Sequence, residues 1–141
     1  YFNRLKDPTA EGDASNMFFA SRYDWLRIGK KMMYDYQNST CAGKYLKTLE
    51  SNKIKKKVKG TDFQEPAFSP GLSYGGFFHM EYPGLKDRII FGISGYGGNT
   101  MLIDMDNSKI VVINSIHFNN KKYKYNIKKL MVEPFKKSTV K

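Results

Sequence analysis

Apolar positions recur along this chain with two different periods, and the change between them divides it into a helical half and a sheet half. Residues 1–20 show neither period and carry the turn signals Asp7-Pro8 and Glu11-Gly12-Asp13, so they read as extended or irregular. From Ser21 the pattern becomes helical. Trp25, Ile28, Met32, Met33 and Tyr36 fall on one face, with Arg27, Lys30, Lys31 and Asp35 elsewhere on the circumference. Ser21 and Asp24 stand three apart, a capping-box variant that starts a helix and makes Asp24 a cap rather than an acid catalyst. Asn38 to Gly43 break this helix, and Lys44–Ser51 predicts a shorter one with Tyr45, Leu46 and Leu49 inward.

The lysine-rich run and Gly60–Pro70, with Pro66 and Pro70, read as a long polar loop. From Leu72 the period is two. "LSYGGFFHMEY" predicts one strand, Pro83-Gly84 a turn, and Arg88–Ser94 the next strand. Met101, Ile103 and Met105 alternate with Leu102 and Asp104, and Asp106-Asn107-Ser108 supply a turn. Asp104 and Asp106, flanking that turn, read as solvated. Ile110–Ile113 is apolar without alternation, which predicts a central strand covered on both faces. Tyr123, Ile127, Leu130 and Met131 return to helical spacing until Pro134 stops the pattern. The expected architecture is α+β: an antiparallel sheet of about four strands covered by helices, in one domain over residues 1–141 with a basic tail at 134–141.

Composition narrows the chemistry. The length of 141 residues suits one domain with a modest core, and no apolar run is long enough to span a bilayer. The single Cys41 excludes an internal disulfide and a multi-cysteine metal site. His79 and His117 have no Asp, Glu or Cys at ligand spacing, so no metal or other cofactor is expected. Net charge is +11, with five lysines in Lys53–Lys59 and eight in Lys121–Lys141. Such clusters serve nucleic acid, an anionic surface or simple solvation, and no nucleic-acid reader motif accompanies them.

The glycines pose the sharpest question. The strand at Arg88–Ser94 runs into Gly95-Tyr96-Gly97-Gly98, more turn residues than a tight hairpin needs. Either this is a wide loop, or bare backbone must lie against a bound molecule.

Taken in order, these segments resemble the serine β-lactamase-like hydrolases, the family of class C β-lactamases, low-molecular-weight penicillin-binding proteins, carboxylesterases and 6-aminohexanoate-dimer hydrolases. "EGDASNMFFASRYDWLRIGKKMM" looks like the family's Thr/Ser-x-x-Asp-hydrophobic-x-Arg-hydrophobic-Gly helix, through Ser21, Asp24, Trp25, Arg27, Ile28 and Gly29. "CAGKYLKTLES" is similar to the Asn-Gly-Lys-x-Leu stretch that follows it. "SYGGFFHMEY" is similar to a Tyr-Gly-x-Gly-aromatic strand with Gly76 one place early, and "GISGYGGNTMLIDMDNSKIVVINS" to the strand pair bearing the third catalytic box. The resemblance covers residues 10–133 and lies more in segment order than in any one motif.

The family cleaves amides or esters through an acyl-serine. The resemblance implies that the third box falls on Ile93-Ser94-Gly95. Ser94 would offer its hydroxyl to substrate, the Tyr96 backbone N–H would donate to the oxyanion, and Gly95, Gly97 and Gly98 would let substrate approach the backbone. Ile93 stands where a Lys or His is usual, which favours the esterase and 6-aminohexanoate-hydrolase kind over a β-lactamase. The family's nucleophile box is Ser-x-x-Lys, and its match here is Ser138–Lys141 at the C-terminus, a misplaced one. Tyr36-Gln37-Asn38 fits Tyr-x-Asn in letters, but at the end of a helix where the resemblance places no catalytic group. The chain therefore reads as the C-terminal part of a longer hydrolase, inactive alone, acting on a small amide, ester or peptide and completed by an N-terminal part of the same polypeptide. The periplasm or cell envelope is implied, nucleic acid is not a partner, and an uncovered apolar sheet face would drive self-association. A non-catalytic relative that binds cell-wall peptide is the alternative, and a basic nucleic-acid-binding module is a more distant one.

Overall fold

The computed structural model describes residues 3–5, 17–56, 71–85, 87–94, 99–114 and 127–136. Strands β1 (Asn3–Leu5) and β2 (Met17–Phe19) pair antiparallel as a separate ribbon. Helices α1 (Arg22–Gln37) and α2 (Cys41–Ser51) follow. An antiparallel sheet then runs in chain order through β3 (Ile54–Lys55), β4 (Ser73–Gly75), β5 (Phe78–Met80), β6 (Ile90–Ser94), β7 (Thr100–Asp104) and β8 (Lys109–Ile113), and α3 (Ile127–Lys136) comes last.

The class is α+β as expected, but the main sheet has six strands where about four were predicted. One extra strand is β3, a two-residue edge lying in the lysine run that reads as loop. The other arises because "LSYGGFFHMEY" folds on itself. Gly76 and Phe77 adopt φ of +52° and +71°, forming a two-residue hairpin turn of the hand that matches strand twist.

The start of α1 is as the spacing predicts. The Asp24 N–H donates to Ser21 Oγ at 3.2 Å, and the Ser21 N–H donates to Asp24 Oδ2 at 3.3 Å. Hydrogen bonds from Ser21 and Arg27 hold the Asp24 carboxyl below the usual carboxylate range. Helix α2 begins at Cys41, three residues before the predicted start, because Thr40 caps it through the Gly43 N–H at 3.2 Å. Gly43 thus lies inside the helix rather than breaking it. It permits close approach of the two helices, since a Cβ there would overlap the Asp35 carbonyl. Tyr45, expected inward, is exposed; Leu46 and Leu49 do face the core.

Two cores sandwich the sheet. Met80, Phe91, Met101, Ile103 and Met105 pack with Tyr36 and Leu46 and with half-buried Trp25, Ile28, Met32 and Met33, under α1 and α2. On the opposite face, Ile90 and Leu102 pack with Tyr82, Leu85 and the α3 residues Met131, Val132 and Phe135. The strand buried on both faces is β7, not β8 as its apolar run predicts. Among the described residues β8 closes the sheet and is half-buried throughout. Helix α3 passes through Pro134 to Lys136 instead of stopping there. Burial of Phe135 outweighs the hydrogen bond that proline cannot donate, and the Pro134 carbonyl accepts from Lys109 Nζ at 2.9 Å. Tyr123, His117 and residues 137–141 of the basic tail lie outside the described residues.

Candidate functional site

The candidate site is the end of the β6–β7 hairpin. Five cross-strand pairs, from Ile90↔Asp104 to Ser94↔Thr100, hold β6 and β7 in register, so each end of the connecting segment is fixed by the sheet. Ser94 is half-buried, and its hydroxyl lies 3.5 Å from that of buried Thr100, either able to donate. Ser94 and Thr100 share the sheet face on which Leu102 meets α3, while Ile93 faces the opposite core under α1 and α2. An aliphatic side chain at 93 is therefore suited to its place in the core, and it puts no cation beside Ser94. Gly95, Tyr96, Gly97 and Gly98 lie outside the described residues.

Two residues lie near Ser94 whose place there was not read from the sequence: Tyr82, which the sequence did not single out, and His79, considered there as a metal ligand alone. Tyr82 is wholly buried, and its hydroxyl sits over Gly92, two residues before Ser94; any side chain at 92 would overlap it. His79 pairs across the sheet with Gly92, which places it on the same face. Its Nδ1 is buried without a hydrogen-bond partner among the described residues, and its ring meets Tyr74 edge-on at 5.1 Å. The signal for His79 is its register against Gly92, legible only once the pairing is known, and Tyr82 is placed by the chain path after β5 and by packing on α3.

Burial first, and the charge of Lys56 second, push the His79 imidazole down to about 4, so it is neutral at pH 7. An unfolded histidine titrates near 6.5. Between those values the unfolded chain takes up a proton that the folded chain refuses, so stability falls as pH drops from 6.5 toward 4 and levels off below. Thermal melts across that range should lose this component of acid sensitivity in His79→Gln. An unchanged profile would place the buried imidazole elsewhere.

The far end of the hairpin is held by a buried ion pair. Asp104, read from sequence as solvated, is fully buried and accepts from Arg88 Nη1 at 3.0 Å. The Asn107 backbone N–H also donates to it at 3.1 Å, and Asn107 Nδ2 at 2.9 Å. Asp106 is exposed, as expected.

The Tyr36-Gln37-Asn38 triplet is engaged structurally. Tyr36 is core, Gln37 Nε2 donates to the Met105 carbonyl at 2.8 Å, and Asn38 caps α1. Among the described residues no cluster of three His, Cys, Asp or Glu side chains could hold a metal ion. The described site thus consists of a hydroxyl pair at the end of a rigid hairpin, a neutral imidazole on the neighbouring strand and a buried tyrosine beneath. Such a set can bind and orient a polar group but contains no activated nucleophile. The chain matches no protein-family model, no curated protein and no solved structure.

Proposed function

We propose that the chain is the C-terminal part of a serine hydrolase of the β-lactamase-like family, cleaving amide or ester bonds through an acyl-serine. The observation that carries the reading is the order of its parts. A capped helix and a second helix precede an antiparallel sheet, which a last helix covers from the other side, and the glycine-rich segment joins two adjacent inner strands of that sheet. The third box would be Ile93-Ser94-Gly95. In it the Tyr96 N–H would donate to the oxyanion, Ser94 would orient the substrate, and Gly95, Gly97 and Gly98 would leave room for substrate against the backbone.

The nucleophile and its base would come from polypeptide N-terminal to Tyr1. Attack by that serine on the carbonyl carbon forms the acyl–oxygen bond as the amine or alcohol leaves with a proton, and water then releases the acid. With Ile93 packed in the core, the box offers no cation to a substrate carboxylate, which favours neutral amides or esters. The envelope is the proposed location.

Fluorophosphonate labelling tests this. The complete polypeptide should label at the serine of an in-frame Ser-x-x-Lys, with Tyr-x-Asn roughly 100 residues further on by the family resemblance. The chain from residue 1 to 141 should stay unlabelled. A complete polypeptide lacking both boxes, or carrying them without labelling, would sink the catalytic reading.

A further inference from the structure

We propose that the sheet edge formed by β3 and the β4–β5 hairpin docks on an anionic lipid surface, with Phe77 inserted among the lipids and Lys55 and Lys56 facing the headgroups. Phe77 carries the argument. It is 86% exposed at the hairpin tip and holds φ at +71°, a region that bulky side chains rarely occupy. The position therefore bears both backbone strain and exposed aromatic area, and it gains no internal packing in return. Glycine or asparagine would suit that turn better. An aromatic kept there fits an anchor whose favourable contacts lie outside the chain.

The surroundings match a lipid interface. Ile54, paired with Tyr74 at the same edge, is 69% exposed, and Leu72 beside it is 46% exposed. Exposed aliphatic groups scattered singly are ordinary, but here two accompany an exposed aromatic on one edge. The lysine run Lys53–Lys59 begins on this edge. Lys53 lies 2.6 Å from Glu50 and 3.9 Å from Glu81, one cation between two carboxylates, so the positive charge of this edge comes from Lys55 and Lys56, which outweigh the carboxylate that remains. Basic groups around a small apolar anchor give peripheral binding to anionic headgroups.

Nucleic acid fits less well. Phe77 is a single exposed ring, Ile54 and Leu72 beside it offer no second plane on which successive bases could stack, and the edge carries lysines without an arginine fork. A second copy joining by strand addition fits poorly too, because β3 is two residues long and flanked by lysines. This docking is independent of the hydrolase reading.

Co-sedimentation of the chain with vesicles of phosphatidylglycerol and phosphatidylcholine, against pure phosphatidylcholine, tests the proposal. Binding should require the anionic lipid and weaken as salt rises. Phe77→Gly should reduce partitioning at least about tenfold, the scale of one buried aromatic side chain, while its melting temperature holds or rises. Lys55→Glu combined with Lys56→Glu should reduce it further, at roughly fivefold or more per lysine. Phe77→Asn serves as a second variant compatible with the turn. Equal binding to neutral vesicles, or parent-like binding by both Phe77 variants, overturns the proposal. So does tighter binding to a single-stranded oligonucleotide that Phe77→Gly leaves undiminished.

Discussion

If the proposed oxyanion role holds, Tyr96→Pro in the complete polypeptide should lower kcat for ester or amide cleavage by about 10²–10³-fold, while Tyr96→Ala stays within a few-fold of the parent. The contrast follows from what each substitution removes. Alanine deletes the phenol and keeps the backbone N–H; proline deletes the N–H that the proposal assigns to the oxyanion. The effect should fall on kcat more than on KM, because a donor aimed at developing charge is worth most in the transition state. Single-turnover acylation by an activated ester reads the step directly. A proline that also disturbed the fold would lower the melting temperature, which the measurement must include. Equal losses in the two variants would assign Tyr96 a packing role, and full activity in Tyr96→Pro would remove the oxyanion donor from the proposal.

The proposed site rests on features of unequal legibility. The proposed box draws notice in the chain because its glycines outnumber those a tight hairpin needs, an excess that a wide loop or a backbone bared to a ligand would each account for. Its surroundings draw no such notice. Tyr82 is ten residues before Gly92, yet its hydroxyl lies over that glycine through the fold of the segment between them and the packing of α3. His79 reaches the same glycine through strand pairing. Neither relation leaves a trace in local spacing.

The same distinction between local and distant causes explains the fold. The capping box of α1 is made by residues three apart, and both of its hydrogen bonds form. The helix ends and the strand count depend on partners far along the chain. Lys55 becomes a strand residue only because Ser73 pairs with it, and Gly43 enters a helix because Thr40 caps it and the Asp35 carbonyl lies close. β8 and β7 exchange their expected places for a related reason. Hydrophobic run length suggested that Ile110–Val111–Val112–Ile113 would be central, but a strand's position is set by the neighbours on its two edges. β7 has β6 and β8 as partners, and it tolerates complete burial of Asp104 because Arg88 and Asn107 satisfy that carboxylate.

That last arrangement leads to the largest expected loss of stability. Asp104→Ala should cost about 3–5 kcal/mol, the range for removing one partner of a buried ion pair. The change strips the described acceptor from Asn107 Nδ2 and from the Asn107 backbone N–H, and it leaves the Arg88 guanidinium facing a buried cavity. Domains of this size are stable by only about 5–15 kcal/mol, so the variant should unfold at much lower urea and show its loss in the midpoint rather than in the slope. Arg88 is 23% exposed at its side chain, so water can reach part of its charge and Arg88→Ala should cost less than Asp104→Ala. Combining Asp104→Leu with Arg88→Met should recover part of the loss, because the double change removes both charges together and leaves the donors of exposed Asn107 to water. A double-mutant cycle of the parent, Asp104→Ala, Arg88→Ala and the Asp104→Ala/Arg88→Ala double variant measures the coupling directly. If Asp104→Ala costs under about 1 kcal/mol, the value of an exposed pair, then the carboxylate is not the buried staple of the β6–β7 hairpin. In that case the reading of β7 as the strand buried on both faces would lose the group that makes its burial possible.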